Sequence, residues 1–209
     1  GYIQDKYVNC LFKHDNGISF TLVVDDFGVK TPNHAAAEHL ILALEEKYTL
    51  HIDWDGKKYL GFNIKIDDTE QAAILDMPRY VPHMLEQFFP GQTLKGKSTP
   101  AVYTAPKYGS QQQQATEPDY SPKLNKTEIH RLQSMVGSVL FYARAIDYTM
   151  LTAVNHVSTL QSNPTQKVLK AANRIFEYAA AYPNNQLILR ACDMVLHIQS
   201  DASYLSRLA

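Results

Sequence analysis

Two adjacent carboxylates, Asp25 and Asp26, interrupt an apolar stretch running from Phe20 to Val29, and they are the residues whose types and spacing best suit chemistry. Ile18 to Val24, rich in β-branched and aromatic residues, predicts a buried strand. Phe27 to Val29 predicts a second, so both acids are expected in the turn between them. Side chains along a strand alternate between faces, so neighbouring aspartates converge on one ion only where a turn bends the backbone. A carboxylate pair on a rigid hairpin suits Mg2+, which takes one or two carboxylates, keeps several waters and binds substrate phosphates. Aspartate is also a common turn residue that merely meets solvent, so the doublet alone leaves both readings open.

Asp26-Phe27-Gly28 imitates the metal-binding tripeptide of protein kinases, but its surroundings exclude that use. A kinase places a Gly-rich loop and a strand lysine upstream and an activation segment downstream, whereas here a short hairpin precedes the tripeptide and a helix follows it.

The elements that must position the pair follow from local patterns. Tyr7 to Lys13 alternates loosely, and Asn16-Gly17 after it is a hairpin turn signal. Thr31 or Asn33 can cap a helix with Pro32 near its start, and Ala37, Leu40, Ile41 and Leu44 recur on one face, so this helix is expected to cover the sheet. His34 and His39 are five residues apart, off the spacing of a helical metal pair, and read as solvated. Tyr48 to Ile52 predicts a short strand, Asp55-Gly56 a turn, and Tyr59 to Ile66 a half-exposed strand in which Gly61 on its own reads as a bulge at a sheet edge. Ala72 to Leu75 is expected to complete a hairpin, and Pro78 to open a helix with Val81, Met84, Leu85 and Phe88 on its apolar side.

From Phe89 to Lys123 the chain is rich in proline, carries the run Gln111 to Gln114 and has no hydrophobic period, so it predicts a long linker anchored by residues such as Val102, Tyr103 and Tyr108. Asn125 and Glu128 have capping-box spacing, and the helix they open is expected to reach Ala145, with Gly137 and Ser138 permitting close approach of another helix. Asp147 and Asn163-Pro164 mark two further helices. On the last of these Lys167, Lys170 and Arg174 form a stripe that either tracks phosphates or faces solvent. Gln186 to Ala191 and Met194 to Gln199 predict a hairpin turning at Cys192-Asp193, with Asp201 at its end.

Composition narrows the class. With 45% hydrophobic and 20% charged residues the chain is an ordinary folded protein, and 209 residues allow one large or two small domains. A net charge of −1 excludes a uniformly basic nucleic-acid-binding chain, so any duplex-binding surface is a local patch. Cys10 and Cys192 match no zinc spacing and no disulfide framework. No apolar run reaches transmembrane length, and no signal-peptide core or initiator Met opens the sequence, which reads as cut from something longer.

Five blocks together resemble the polyprotein of copia-type retrotransposons: Val24-Asp25-Asp26; Tyr59-Leu60-Gly61-Phe62-Asn63-Ile64; Met77-Pro78-Arg79-Tyr80-Val81; Val136 to Arg144; and Ser200-Asp201-Ala202-Ser203. The resemblance covers nearly the whole chain, in the family's order and approximate spacing. It implies an α+β fold: a partial reverse-transcriptase palm with a covering helix at 1–76, a thumb-like helix at 77–89, a Pro/Gln-rich linker at 90–123, a helical connection at 124–183 and a truncated start of a ribonuclease H-like domain at 184–209.

The resemblance further implies RNA-directed DNA polymerase chemistry by two Mg2+ ions, with Mn2+ as a substitute, acting on an RNA template, a DNA primer and a dNTP. Asp25 would be the direct metal ligand, Asp26 its neighbour and Asp201 the first metal-binding acid of ribonuclease H. Val23 and Gly61, with Lys167, Lys170 and Arg174, would meet nucleic acid, although Val23 stands where the family has an aromatic residue. The family's other essential palm aspartate lies upstream of Gly1, so the isolated chain is expected to be inactive. Its expected setting is cytoplasmic, extending to retroelement particles and the nucleus, with the rest of the polyprotein as partner and no membrane. A contrasting reading is a non-catalytic nucleic-acid-binding or structural remnant of a retroelement. A purely structural cation site ranks last, because two acids are too few for a Ca2+ cage.

Overall fold

The computed structural model describes residues 1–103, 118–193, 195, 197, 198 and 200. It is a mixed α+β chain with two antiparallel sheets and five α-helices among the described residues, and it divides into two compact units, Gly1–Lys65 and Ile66–Ala209.

In the first unit β1 (Ile3–Gln4), β2 (Leu11–Lys13), β3 (Ser19–Val23) and β4 (Asp26–Lys30) lie side by side in chain order, all antiparallel. The Asn-Gly signal turns the chain as expected. Gly17 takes a φ of 89° and its N–H donates to the His14 carbonyl at 3.0 Å, while Asn16 Oδ1 accepts from the Ile18 N–H at 3.1 Å. Helix α1 (His34–Glu45) starts at Asn33, whose side chain accepts the Ala36 N–H at 2.8 Å and satisfies one of the donors a helix start leaves open. Its Leu40 packs with Ile18 and Phe20 in a buried cluster bordered by Tyr2, Phe12, Leu22, Phe27, Ala36 and Leu44, so the helix covers one face of the sheet.

Two expectations fail in the rest of this unit. Tyr48 to Ile52 forms no strand, and Tyr59 to Ile66 is not one continuous strand. The chain instead reverses at Leu60-Gly61, between β5 (Lys58–Tyr59) and β6 (Phe62–Asp67), with Tyr59 paired to Phe62. Both turn residues have positive φ, 50° and 84°, the backbone of a type I′ hairpin turn. Leucine at a position that favours Asn or Gly concealed that turn.

In the second unit β7 (Ala72–Asp76) pairs with β8 (Gln186–Arg190), Ala72 opposite Arg190 and Asp76 opposite Gln186. This differs from the expected hairpin of 186–191 with 194–199, of which residues 194, 196 and 199 lie outside the described residues. Five elements lie between the two strands in the chain. They are α2 (Tyr80–Phe88), α3 (Lys126–Ala145), a 3-10 turn at Tyr148–Met150, α4 (Leu151–Leu160) and α5 (Gln166–Ala181). The capping box at Asn125 and Glu128 is formed in both directions, at 2.8 and 3.0 Å. Leu132, Met135, Val139, Val154, Val157, Ile175 and Phe176 make the core. Gly137 does not serve close approach, because a Cβ there would meet nothing within 4 Å.

The linker is anchored, but not where its sequence suggested. Val102 and Tyr103 are 72% and 81% exposed, and Tyr108 lies outside the described residues. The anchors are small and polar residues on α5. Gly96 packs on Ala181, the Lys97 N–H donates to the Glu177 carbonyl at 3.2 Å, and Arg174 donates to Thr99 Oγ1 at 2.9 Å. Near the helix start Asp119 accepts from the Ser121 N–H and hydroxyl and from the Thr165 hydroxyl, and Thr165 is itself the cap of α5. The Ser121 and Thr165 hydroxyls, then the Ser121 N–H, hold the Asp119 carboxyl down at about 2, from an ordinary 3.8. A lowered carboxyl stabilises the fold above its unfolded value, and that contribution disappears as pH falls from about 3.8 through 2. Acid melting of the linker clip, followed by NMR at Ser121 and Thr165, is expected in that window and should be absent in Asp119→Asn. A site-specific probe is needed because Asp5, held at about 2 by Lys13 and by the Tyr7 and Val8 N–H groups, titrates over the same range.

Candidate functional site

Hairpin β3–β4 has a two-residue turn, Val24-Asp25, closed by the pair Val23 and Asp26. The acids therefore do not share the turn: Asp25 is its second residue and Asp26 opens β4. Val24 has a φ of 57° and Asp25 does not, the pattern of a type II′ turn. The strand end is also not buried, for Val23 is 42% and Val24 92% exposed.

Glycine is the residue that suits the first position of such a turn, and a β-branched side chain there costs roughly 1–2 kcal/mol. Val24→Gly is expected to stabilise the protein by about 0.5–1 kcal/mol, the relief being partly offset by the entropy of glycine. Urea unfolding measures it, and a loss of stability would contradict the strained backbone.

Strand alternation distributes the hairpin's side chains. Phe20, Leu22 and Phe27 belong to the cluster under α1, which places Thr21, Val23, Asp26 and Gly28 on the opposite face. Asp25 and Asp26 are both exposed, and among the described residues neither carboxylate has a hydrogen-bond or ion-pair partner. Open carboxylates on a tight turn fit a hydrated Mg2+ ion as part of its ligand set. Among the described residues no group of three or more His, Cys, Asp or Glu side chains gathers to hold a metal, so the pair is not a closed cage.

The other candidates are distributed as follows. Gly61 sits in the type I′ turn and is exposed, neither a bulge nor a strand residue. Lys167 and Lys170 are exposed on α5, whereas Arg174 is half-buried and engaged by Thr99, so the basic stripe is interrupted. Asp201 lies outside the described residues. Asp193 acts as a turn residue, its Oδ1 accepting the Val195 N–H at 3.1 Å. His34 stacks on Trp54 at 4.2 Å, and His39 Nδ1 meets the Tyr2 hydroxyl at 3.2 Å, so the two histidines have separate partners.

The residue sequence reasoning missed is Tyr59, which lies against the acid-bearing hairpin on its uncovered face. Nothing in the spacing of Tyr59 and Gly28 announces a contact between residues so far apart in the chain.

Compared with known proteins, the chain matches no family model, no curated protein and no solved structure. Among the described residues no helix is long and apolar enough to cross a membrane.

Proposed function

We propose that this chain is the portion of a copia-type reverse transcriptase that carries the Val-Asp-Asp hairpin, part of an RNA-directed DNA polymerase with two-metal nucleotidyl transfer. The observation that carries the reading is the pair of unpartnered carboxylates at a tight hairpin whose opposite face is sealed by α1. That arrangement leaves both carboxylates exposed to a primer end and a triphosphate, as a polymerase palm requires. Under this reading the helices of the second unit are thumb and connection, and Ser200-Asp201-Ala202-Ser203 opens a ribonuclease H-like segment.

Asp25 is the direct ligand and Asp26 its neighbour. When bound, Mg2+ supplies Lewis-acid stabilisation of the phosphates and a more acidic primer hydroxyl. The chain's own contribution is to present two negative groups at a tight turn, and among the described residues no cation pairs with them. A two-metal site needs a carboxylate facing this pair, and none among the described residues joins it.

The chain alone is therefore expected to extend no primer. Joined to the upstream palm strand and fingers of a copia-type polymerase, it is expected to support Mg2+-dependent extension on an RNA template. Asp25→Asn should then lower the rate at least about a hundredfold. Extension by the chain alone that Asp25→Asn abolishes would overturn the division of ligands, and a chimera indifferent to Asp25→Asn would overturn the reading.

A further inference from the structure

On the face of hairpin β3–β4 opposite α1, Tyr59 packs against the hairpin from a distant part of the chain. A Cβ built on Gly28 would lie 2.8 Å from Tyr59 Cζ and 3.1 Å from Tyr59 Cε1, so the tyrosine ring occupies the space above that glycine. The same Cβ would lie 2.8 Å from Thr21 Oγ1. Gly28 does not have positive φ, so the backbone does not demand glycine there; the ring does. The Tyr59 hydroxyl is 2.8 Å from Thr21 Oγ1, and Thr21 is the cross-strand partner of Gly28. One phenol thus touches both strands of the hairpin, two residues along each from the closing pair Val23 and Asp26.

Two features make that contact matter. Among the described residues β4 is an edge strand paired with β3 alone, and beyond Val23 the hairpin ends in the strained Val24 turn. An edge strand held from one side opens readily, and its opening would part Asp26 from Val23 and release the turn that sets how Asp25 and Asp26 are oriented. Tyr59 is itself seated, because it is the last residue of β5 and pairs with Phe62 across the Leu60-Gly61 turn.

We infer that Tyr59 is a positioning residue for the Asp25 and Asp26 pair: it clamps β3 to β4 on the face bearing Asp26, keeps the Val23 and Asp26 pair closed, and so fixes the relative orientation of the two carboxylates. The inference rests on the metal-binding reading of the pair for its purpose, but the clamp can be tested apart from it. The ring supplies the larger part by filling the space over Gly28. The hydroxyl adds registration through Thr21.

The test uses the full chain and Mn2+ alone, read by paramagnetic broadening in NMR, together with amide hydrogen exchange of Asp26 to Val29. In wild type, Mn2+ is expected to broaden the amides around Asp25 and Asp26. Tyr59→Ala should weaken the apparent affinity by about tenfold and speed exchange at Gly28. Tyr59→Phe, which keeps the ring, should recover most of the affinity. Thr21→Val should match Tyr59→Phe, and combining the two should add nothing further, because they remove one shared bond. Equal Mn2+ affinity in wild type and Tyr59→Ala, with the fold intact by circular dichroism, overturns the inference. Absence of broadening at Asp25 and Asp26 in wild type overturns the metal-binding reading instead. In that case unchanged exchange at Gly28 in Tyr59→Ala overturns the clamp, and faster exchange upholds it.

Discussion

Phe176→Ala is expected to lower the unfolding free energy of the helical unit by about 3–5 kcal/mol. Phe176 is 1% exposed, and its ring meets Phe88 edge-on at 5.5 Å and Phe89 at 5.4 Å with a 59° tilt. Those two phenylalanines end α2, so a single ring on α5 joins the two helices. The cavity left by truncation is not easily closed from the α2 side. Arg131 lies over the Phe89 ring at 5.4 Å and donates to the Phe88 carbonyl at 2.6 Å, which holds the end of α2 where it is. Urea unfolding followed by helical circular dichroism measures the loss, and Phe176→Leu should restore part of it. A cost below about 1 kcal/mol would mean that the site collapses after all.

Asp147→Ala is expected to cost about 2–4 kcal/mol, through polar groups rather than volume. Asp147 is the only charged residue among the buried ones described, at 3% exposure. Its carboxyl accepts the Thr149 N–H at 3.1 Å, the Thr149 hydroxyl and the Asn185 side-chain amide. The Thr149 hydroxyl in turn lies 2.8 Å from the Tyr178 hydroxyl. Removing the carboxyl takes the acceptor from the Thr149 and Asn185 donors and opens a gap at a buried position, whereas Asp147→Asn keeps part of the set and should cost less.

The same network carries an alkaline signature. Burial first, and then the nearby Asp147 charge, push the Tyr142 phenol up to about 12 from 10.0, while the Asn185 N–H acts weakly in the opposite direction. The Tyr142 oxygen lacks a partner of good hydrogen-bond geometry. Because the folded state keeps this proton longer than the unfolded chain, the associated stability is complete below pH 10 and falls as pH rises toward 12. The expected loss across that window is on the order of 2–3 kcal/mol. Tyr2 and Tyr80, also raised by burial, contribute with the same sign, so the difference between wild type and Tyr142→Phe isolates the effect. In Asp147→Ala the window should narrow without closing, since burial remains.

Much of the fold was legible where the cause is local. Asn33 and Asn125 cap helices because their side chains reach backbone N–H groups three residues ahead, a geometry that sequence spacing states outright. The apolar period of α2 identified Val81, Met84, Leu85 and Phe88 as inward-facing; the first two and Phe88 are buried, and Leu85 is half-buried. The Asn16-Gly17 turn was equally plain.

The Leu60-Gly61 turn was missed for a local reason, and several other misses share another, the dependence of a residue's role on a distant partner. β7 takes its partner from Gln186–Arg190, and no local pattern in Ala72–Asp76 names that segment. Gly137 looked like a helix contact and meets nothing, while Gly28 looked like part of a kinase tripeptide and makes room for Tyr59. Val102 and Tyr103 were expected to anchor the linker, yet they are exposed and the described part is held by Gly96, Lys97, Thr99, Asp119 and Ser121. Backbone and hydroxyl groups there find α5 without leaving an apolar signal in the sequence.

Composition and order of residues by themselves determined that this is a mixed α+β protein with a carboxylate pair at a reversal between strands, because strand periodicity, turn chemistry and helix caps act within a few residues. Only the tertiary structure decided that Asp25 takes the turn while Asp26 opens a strand, that α1 seals one face of their sheet, and that Tyr59 braces the other. Those outcomes depend on packing between segments far apart in the chain, where the available space and the nearest hydrogen-bond partner choose among roles that the local sequence permits equally.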